Sequence, residues 1–192
     1  MVKYMPHSSP VEVVPDADLL VFRRFIEPTM ASELADTWST FRGAYNLTQD
    51  EHSPASVESQ AAKIGNQPPD GVIRRIATMI LGANIWGHDC VLNLQHVEAF
   101  QFWHADDKKL PVAIVHAHDG GAFDYVPRGA DPGVYHKHTP GYEGQVLFAP
   151  KVFHTVDLEL GDVLIQLAPH IVHRGRNAST DARVNMVIYR NS

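Results

Sequence analysis

The sequence predicts a mainly β fold, a jelly roll of two packed sheets preceded by helices. Three observations carry that reading. From about residue 85 onward, short apolar and β-branched runs recur between Gly, Pro and Asp turns, without the strand–helix alternation of a parallel sheet. Before that point, two stretches place apolar residues at helical spacing. Hydrophobic residues are 44% and charged residues 20% of the 192 positions, which excludes wholesale disorder and suits one domain of ordinary size.

The opening stretch, MVKYMPHSSPVEVVPD, has no apolar core and no small-residue cleavage site, so no secretory signal is expected. Residues 27–41 read as a helix, with Pro28 in the first turn and Met30, Leu34, Trp38 and Phe41 on one face. Residues 43–71 are polar and punctuated by Gly, Pro, Ser and Asn, the pattern of a long loop suited to a lid. Residues 71–81 return to helical spacing through Val72, Ile73, Ile76, Met79 and Ile80, and Gly82 supplies the stop. Eight strand candidates follow, at 86–95, 99–105, 111–118, 122–126, 145–149, 153–160, 163–168 and 183–190. That number fills a double-sheet jelly roll. The whole of 1–192 is expected to form a single domain, helical over about 1–84 with a jelly-roll core over about 85–190.

Composition narrows the function. The net charge of -6 argues against a nucleic-acid partner, because phosphate binding needs clustered Lys and Arg. No run of 18 apolar residues exists, so no membrane helix is expected. The single cysteine, Cys90, excludes an internal disulfide and a zinc finger. These features suit a cytoplasmic protein. Histidine is the unusual residue: there are 12, and ten lie at or after position 88, which points the search for metal or acid–base chemistry to the second half.

The strongest local feature is Gln101-Phe102-Trp103-His104-Ala105-Asp106. On a strand, His104 and Asp106 at i and i+2 project from one side and supply two ligands of a metal site. Two imidazoles and one carboxylate on one face of an octahedron leave positions open for substrate and O₂, which suits non-haem Fe(II). The plain alternative is a hydrogen-bonded strand histidine, with Asp106 opening the turn into Asp107-Lys108-Lys109. The second feature runs from Gly161-Asp162 through an apolar strand expected to end in His173, then His173-Arg174-Gly175-Arg176-Asn177-Ala178-Ser179 and on to Arg183. An arginine on a neighbouring strand offers a planar fork to the far carboxylate of a dicarboxylic cosubstrate.

These motifs, WH-x-D at 103–106, H-x-G-x-N-x-S at 173–179 and an arginine ten residues beyond His173, resemble the phytanoyl-CoA dioxygenase family. That family is a branch of the Fe(II)/2-oxoglutarate-dependent oxygenases built on a double-stranded β-helix, a cupin-like jelly roll. The resemblance covers about Trp86 to Tyr189. It implies iron ligation by His104, Asp106 and His173, and an Arg183 contact to the C5 carboxylate of 2-oxoglutarate. It implies oxidation of a small-molecule substrate with release of succinate and CO₂, by hydroxylation first, with desaturation, epimerisation or cyclisation as variants. Where relatives often read Pro-Gly-Ser-His, this chain has Pro127-Arg128-Gly129-Ala130, and nothing suggests a CoA site. Asp106 keeps the carboxylate that related halogenases replace with a small residue. Gln101, three residues before His104, stands where relatives place a residue touching cosubstrate or substrate. Strict alternation puts it on the opposite face from His104, so a twist or bulge is required.

Other candidates compete. His170 precedes His173 by three residues, but the Gly175 and Asn177 offsets match only from His173. His116-x-His118 places two imidazoles on one strand face, as a metal pair or as half-exposed strand residues before Asp119-Gly120-Gly121. His136-x-His138 lies in a Gly/Pro-rich loop and is expected to face solvent. Arg128, Arg174 and Arg176 are expected at the surface, and Trp103, Tyr125 and Trp86 in packing or at the pocket wall. The rival function is a cupin-like metal-binding protein or metal isomerase that does not use 2-oxoglutarate.

Overall fold

The computed structural model describes residues 10–41, 47–49, 59–65, 68–82, 88–105, 111–133, 135–136, 145–146, 150–168 and 171–190. In chain order the elements are β1 (Val11–Val14), β2 (Leu19–Phe22), α1 (Pro28–Phe41), β3 (Leu47–Gln49), β4 (Ser59–Gly65) and α2 (Val72–Leu81). There follow β5 (His88–Gln95), β6 (Pro111–His116), β7 (Gly121–Tyr125), β8 (Tyr135–His136) and β9 (Gln145–Val146). The last four are β10 (His154–Leu158), β11 (Val163–Gln166), β12 (His173–Asn177) and β13 (Arg183–Arg190).

Side-chain alternation along the central strands decides the architecture. β13 lies between β5 and β6, antiparallel to both, in a sheet ordered β1-β2-β11-β6-β13-β5-β4-β3. One set of alternate residues, including Cys90, Leu92, Ala113, Val115, Val184, Met186 and Ile188, packs in one core with Ala31, Leu34 and Trp38 of α1 and Ile73, Ile76 and Ala77 of α2. The helices therefore cover the outer face of this sheet. The other set, which includes Asn93, Gln95, His116, Arg183 and Asn185, lines a cavity shared with the smaller sheet, β10-β7-β12. A second core fills the rest of the space between the sheets, with Leu19, Val21 and Leu164 against Phe123, Tyr125, Val156 and Leu158. Two antiparallel sheets face to face, with helices outside, form the double-stranded β-helix, and Gln101, His173 and Arg183 line the cavity between its layers.

Both helices stand where periodicity places them, and α2 ends at Gly82, whose φ of 61° is the left-handed conformation that glycine adopts freely. The N-terminal part departs from expectation. Residues 1–84 are not helical throughout: β1 and β2 extend the large sheet beyond β11, and β4 pairs with β5 at the other side. The expected long loop at 43–71 thus contributes β3 and β4. The SQAAKIG sequence of β4 has little strand propensity of its own, and the open edge of β5 supplies the partner that makes it a strand.

Two further expectations are corrected. Residues 99–105 form isolated bridges rather than a regular strand. The apolar strand after Gly161-Asp162 does not end in His173: β11 stops at Gln166 in the large sheet, and His173 opens β12 in the small one. The sequence places Pro169 between them, a residue with no N–H for a continuing ladder. β8 and β9 pair only with each other, and residues 147–149 of the candidate strand 145–149 lie outside the described residues.

Candidate active site

The bridging segment sets the geometry. Phe100 stands opposite Arg176 and His104 opposite His173, four steps on one side against three on the other. The extra residue is a bulge, the device that strict alternation demanded for Gln101. The Gln101 N–H donates to the Gly175 carbonyl at 2.9 Å, and the Gly175 N–H donates to Gln101 Oε1 at 3.0 Å. Gln101 therefore turns into the same cavity as His173. Beyond the bulge, His104 and His173 exchange both backbone hydrogen bonds, at 3.0 and 2.8 Å, which fixes their side chains across one step of the ladder.

The two imidazoles are buried, 2% and 4% exposed, with ring centroids 4.4 Å apart. Each has Nδ1 beside a backbone carbonyl two residues earlier: His104 at 2.7 Å from the Phe102 oxygen, His173 at 2.9 Å from the Ile171 oxygen. A carbonyl only accepts, so each Nδ1 carries the proton and each Nε2 presents a lone pair, the tautomer in which imidazole ligates a metal. Burial pushes His173 down to about 4, so it is neutral at ordinary pH, and Phe123 stacks on its ring at 4.8 Å. Asp106 lies outside the described residues, as do Trp86, His170 and His138. Among the described residues no three His, Cys, Asp or Glu side chains gather as a metal cluster.

Arg183 lies across the same cavity. It is 2% exposed, and its Nε donates to Gln95 Oε1 at 2.7 Å while Nη2 donates to the same oxygen. Gln95 is its opposite residue in the β13–β5 ladder. Among the described residues no carboxylate forms an ion pair with it and Nη1 has no hydrogen-bond partner. Burial, then repulsion from Arg176, pushes the guanidinium down to about 9. A buried cation without a counter-charge is costly, and an anionic ligand would remove that cost.

The next row of the inner face is polar as well. Asn185 stands opposite Asn93 on one side and His116 on the other, and Asn93 Nδ2 donates to Asn185 Oδ1 at 3.3 Å. His116 is 3% exposed, whereas His118 is half-buried and lies beyond the end of β6, so the two do not act as a pair. Burial first, and Arg183 second, hold His116 well below its usual value. Gln95, Asn93 and Asn185 were not among the expected site residues, and His116, expected in a metal pair with His118 or as a half-exposed strand residue, is buried in the cavity wall instead. The signal was present: polar residues at alternate positions of VLNLQ and RVNMVIY, strands otherwise apolar.

Arg174 and Arg176, expected at the surface, serve the outer face of the small sheet. Both donate to Asp124, 0% exposed, through Nε at 2.8 and 2.5 Å, and Thr155 Oγ1 donates to it at 2.7 Å. This clasp ties β12, and with it His173, to β7 and β10. Trp103 is buried under the Arg174 guanidinium, 4.8 Å from its ring, and Tyr125 donates to Asp16 at 2.7 Å, so both are structural here.

No family model matches the sequence, and no curated protein matches it. Solved structures match in fold. A Pseudomonas putida prolyl-4-hydroxylase superposes with a TM-score of 0.58 at 15% identity, covering 92% of this chain and 94% of that one. SnoN, a non-heme alpha-ketoglutarate-dependent epimerase from nogalamycin biosynthesis, gives 0.63 at 15% identity over 92% of this chain and 77% of its own. HygX from Streptomyces hygroscopicus, solved with nickel and 2-oxoglutarate, gives 0.57 at 12% identity over 92% and 84%. At these identities the likeness is one of fold: the chain has the double-stranded β-helix of Fe(II)/2-oxoglutarate-dependent oxygenase structures.

Proposed function

We propose that the chain is a non-haem Fe(II)- and 2-oxoglutarate-dependent dioxygenase that oxidises a small molecule, with residues 1–192 as one catalytic unit. The observation that carries this reading is Arg183: a buried guanidinium with no carboxylate partner among the described residues, its Nη1 unpartnered, lining one cavity with His173. His104 and His173, with lone pairs at Nε2, would hold the metal together with Asp106, a donor set of two nitrogens and a carboxylate that fits Fe(II). Arg183 would hold the far carboxylate of 2-oxoglutarate. Bound Fe(II) supplies, with 2-oxoglutarate and O₂, the oxidant for one substrate C–H bond, succinate and CO₂ being the co-products.

The protein's own share is positioning. The Phe102 and Ile171 carbonyls fix the two tautomers, the Phe123 ring holds His173, and Gln95 aims the guanidinium. The apolar core beside the site excludes water. HygX binds nickel and 2-oxoglutarate, and SnoN binds Fe3+ and alpha ketoglutarate, in the same fold, which supports the cosubstrate. The HxGxNxS motif beyond His173 supports the phytanoyl-CoA dioxygenase-like branch. A metal-binding cupin or metal isomerase has no use for the Arg183 cation.

The test is turnover. Purified protein with Fe(II), 2-oxoglutarate and air is incubated with a small-molecule library, and succinate is measured. At least one compound is expected to stimulate succinate release, lost in Asp106→Ala and in His173→Ala. Succinate release that survives both replacements would overturn the assignment.

A further inference from the structure

Arg183 does not present a two-pronged fork. Nε and Nη2 are both engaged by Gln95 Oε1, which leaves Nη1 as its one nitrogen without a partner among the described residues. A carboxylate has two oxygens, and in a buried site both need donors. The second donor is within the same wall. His116 of β6 is buried, lines the cavity and has an Nε2 with no hydrogen-bond partner among the described residues. It stands opposite Asn185, two residues along the same face of β13 from Arg183.

The two side chains converge at Gly121, the first residue of β7. A methyl group on its α-carbon would collide with Arg183 Nη1 and lie 2.8 Å from His116 Nδ1 and 3.0 Å from its Cε1. Gly121 is not in the left-handed region, so its glycine identity is explained by this close approach rather than by backbone conformation. On the same sheet, a methyl at Gly175 would lie 2.9 Å from Gln101 Oε1 and 3.6 Å from Arg183 Nη2. Two glycines thus leave room for the guanidinium on the small-sheet side.

We infer that His116 and Arg183 form a two-residue carboxylate clamp seated on Gly121, with Arg183 Nη1 donating to one oxygen and His116 Nε2 to the other. The inference rests on the function proposed above, which identifies the carboxylate as the far end of 2-oxoglutarate. His116, neutral beside the arginine, adds a donor without adding a second buried charge; the approaching oxygen selects the tautomer with the proton on Nε2. Charge comes from Arg183, and direction comes from both.

Calorimetric titration of the Mn(II)-loaded protein tests this, with 2-oxoglutarate and, as a probe lacking the far carboxylate, pyruvate. His116→Leu is expected to weaken 2-oxoglutarate binding about 10- to 100-fold, the range for a hydrogen bond to a charged group, and to leave pyruvate binding unchanged. His116→Gln, which keeps an N–H donor, is expected to recover part of the loss. Gly121→Ala is expected to weaken 2-oxoglutarate binding as well, with Mn(II) binding intact. Wild-type affinity in His116→Leu, an equal loss for pyruvate, or no recovery in His116→Gln would each overturn the clamp while leaving the proposed function standing. A wild-type protein that binds Mn(II) but not 2-oxoglutarate would overturn both.

Discussion

At the scale of single residues, His116 and Arg183 are the groups whose burial is hardest to explain without a ligand. His116 stays neutral in the fold because burial and the neighbouring cation oppose its proton; Arg183 of β13 is the charged side chain that acts on it among the described residues. In the unfolded chain it titrates near about 6.5. As pH falls through that value the unfolded chain takes the proton first, so stability present above it is lost on acidification. Thermal melts between about pH 7 and about pH 5 are therefore expected to show a steeper loss for the wild type than for His116→Gln. Parallel slopes would remove His116 as the source. At this scale the sequence was informative where residue spacing reports chemistry. The His104, His173 and Arg183 candidates come from motif offsets alone, and the structure places His173 and Arg183 on one cavity. Gln95 and Asn185 were visible as polar residues on otherwise apolar strands, but their partners were not legible, because register between strands 88 or more positions apart leaves no local trace.

At the scale of elements, two buried carboxylates hold the strands that carry the site. Asp162, in the turn from β10 to β11, accepts from the Arg24 N–H at 2.8 Å, the Glu159 N–H at 3.0 Å and Arg23 Nη1 at 2.7 Å. Gly161 beside it has a φ of 83°, and a methyl there would collide with the Ile26 carbonyl oxygen. The Gly-Asp pair read from sequence as a strand start is thus the knot that ties the N-terminal hairpin to the core. Asp162→Ala is expected to cost about 3 kcal/mol in chemical denaturation, because it leaves a part-buried arginine and two N–H groups without their acceptor. Asp124→Ala is expected to cost a similar amount and to weaken metal binding through β12, which carries His173; stability loss with unchanged metal affinity would show that the clasp does not position His173. Elements with strong periodicity were legible, α1 and α2 above all. β1 to β4 were not: β1 to β3 are short, β4 has little strand propensity, and each is a strand because a neighbouring edge pairs with it.

At the scale of the whole molecule, the large sheet separates two functions. Its outer face carries the apolar core with the helices, and its inner face carries the polar row of the cavity. Substitution on the outer side should change stability alone. Ile76→Ala, at a fully buried position of α2, is expected to cost about 2–5 kcal/mol while 2-oxoglutarate affinity stays at the wild-type value. The jelly roll itself was legible because strands punctuated by turns, without intervening helices, admit few architectures. The crossing from β11 to β12 was not, since Pro169 marks a break in the apolar sequence but does not say in which sheet the second half pairs.

The central claim is that one cavity holds both a metal and the far carboxylate of 2-oxoglutarate. Its most direct test is an anaerobic visible spectrum of the apoprotein titrated with Fe(II) and then 2-oxoglutarate, beside Arg183→Ala and Asp106→Ala. A weak metal-to-ligand charge-transfer band is expected in the wild type, lost or weakened in both variants, with 2-oxoglutarate affinity lowered roughly 100-fold or more by Arg183→Ala. Iron binding without any such band in the wild type would contradict the claim and favour a metal-binding jelly roll that does not use 2-oxoglutarate.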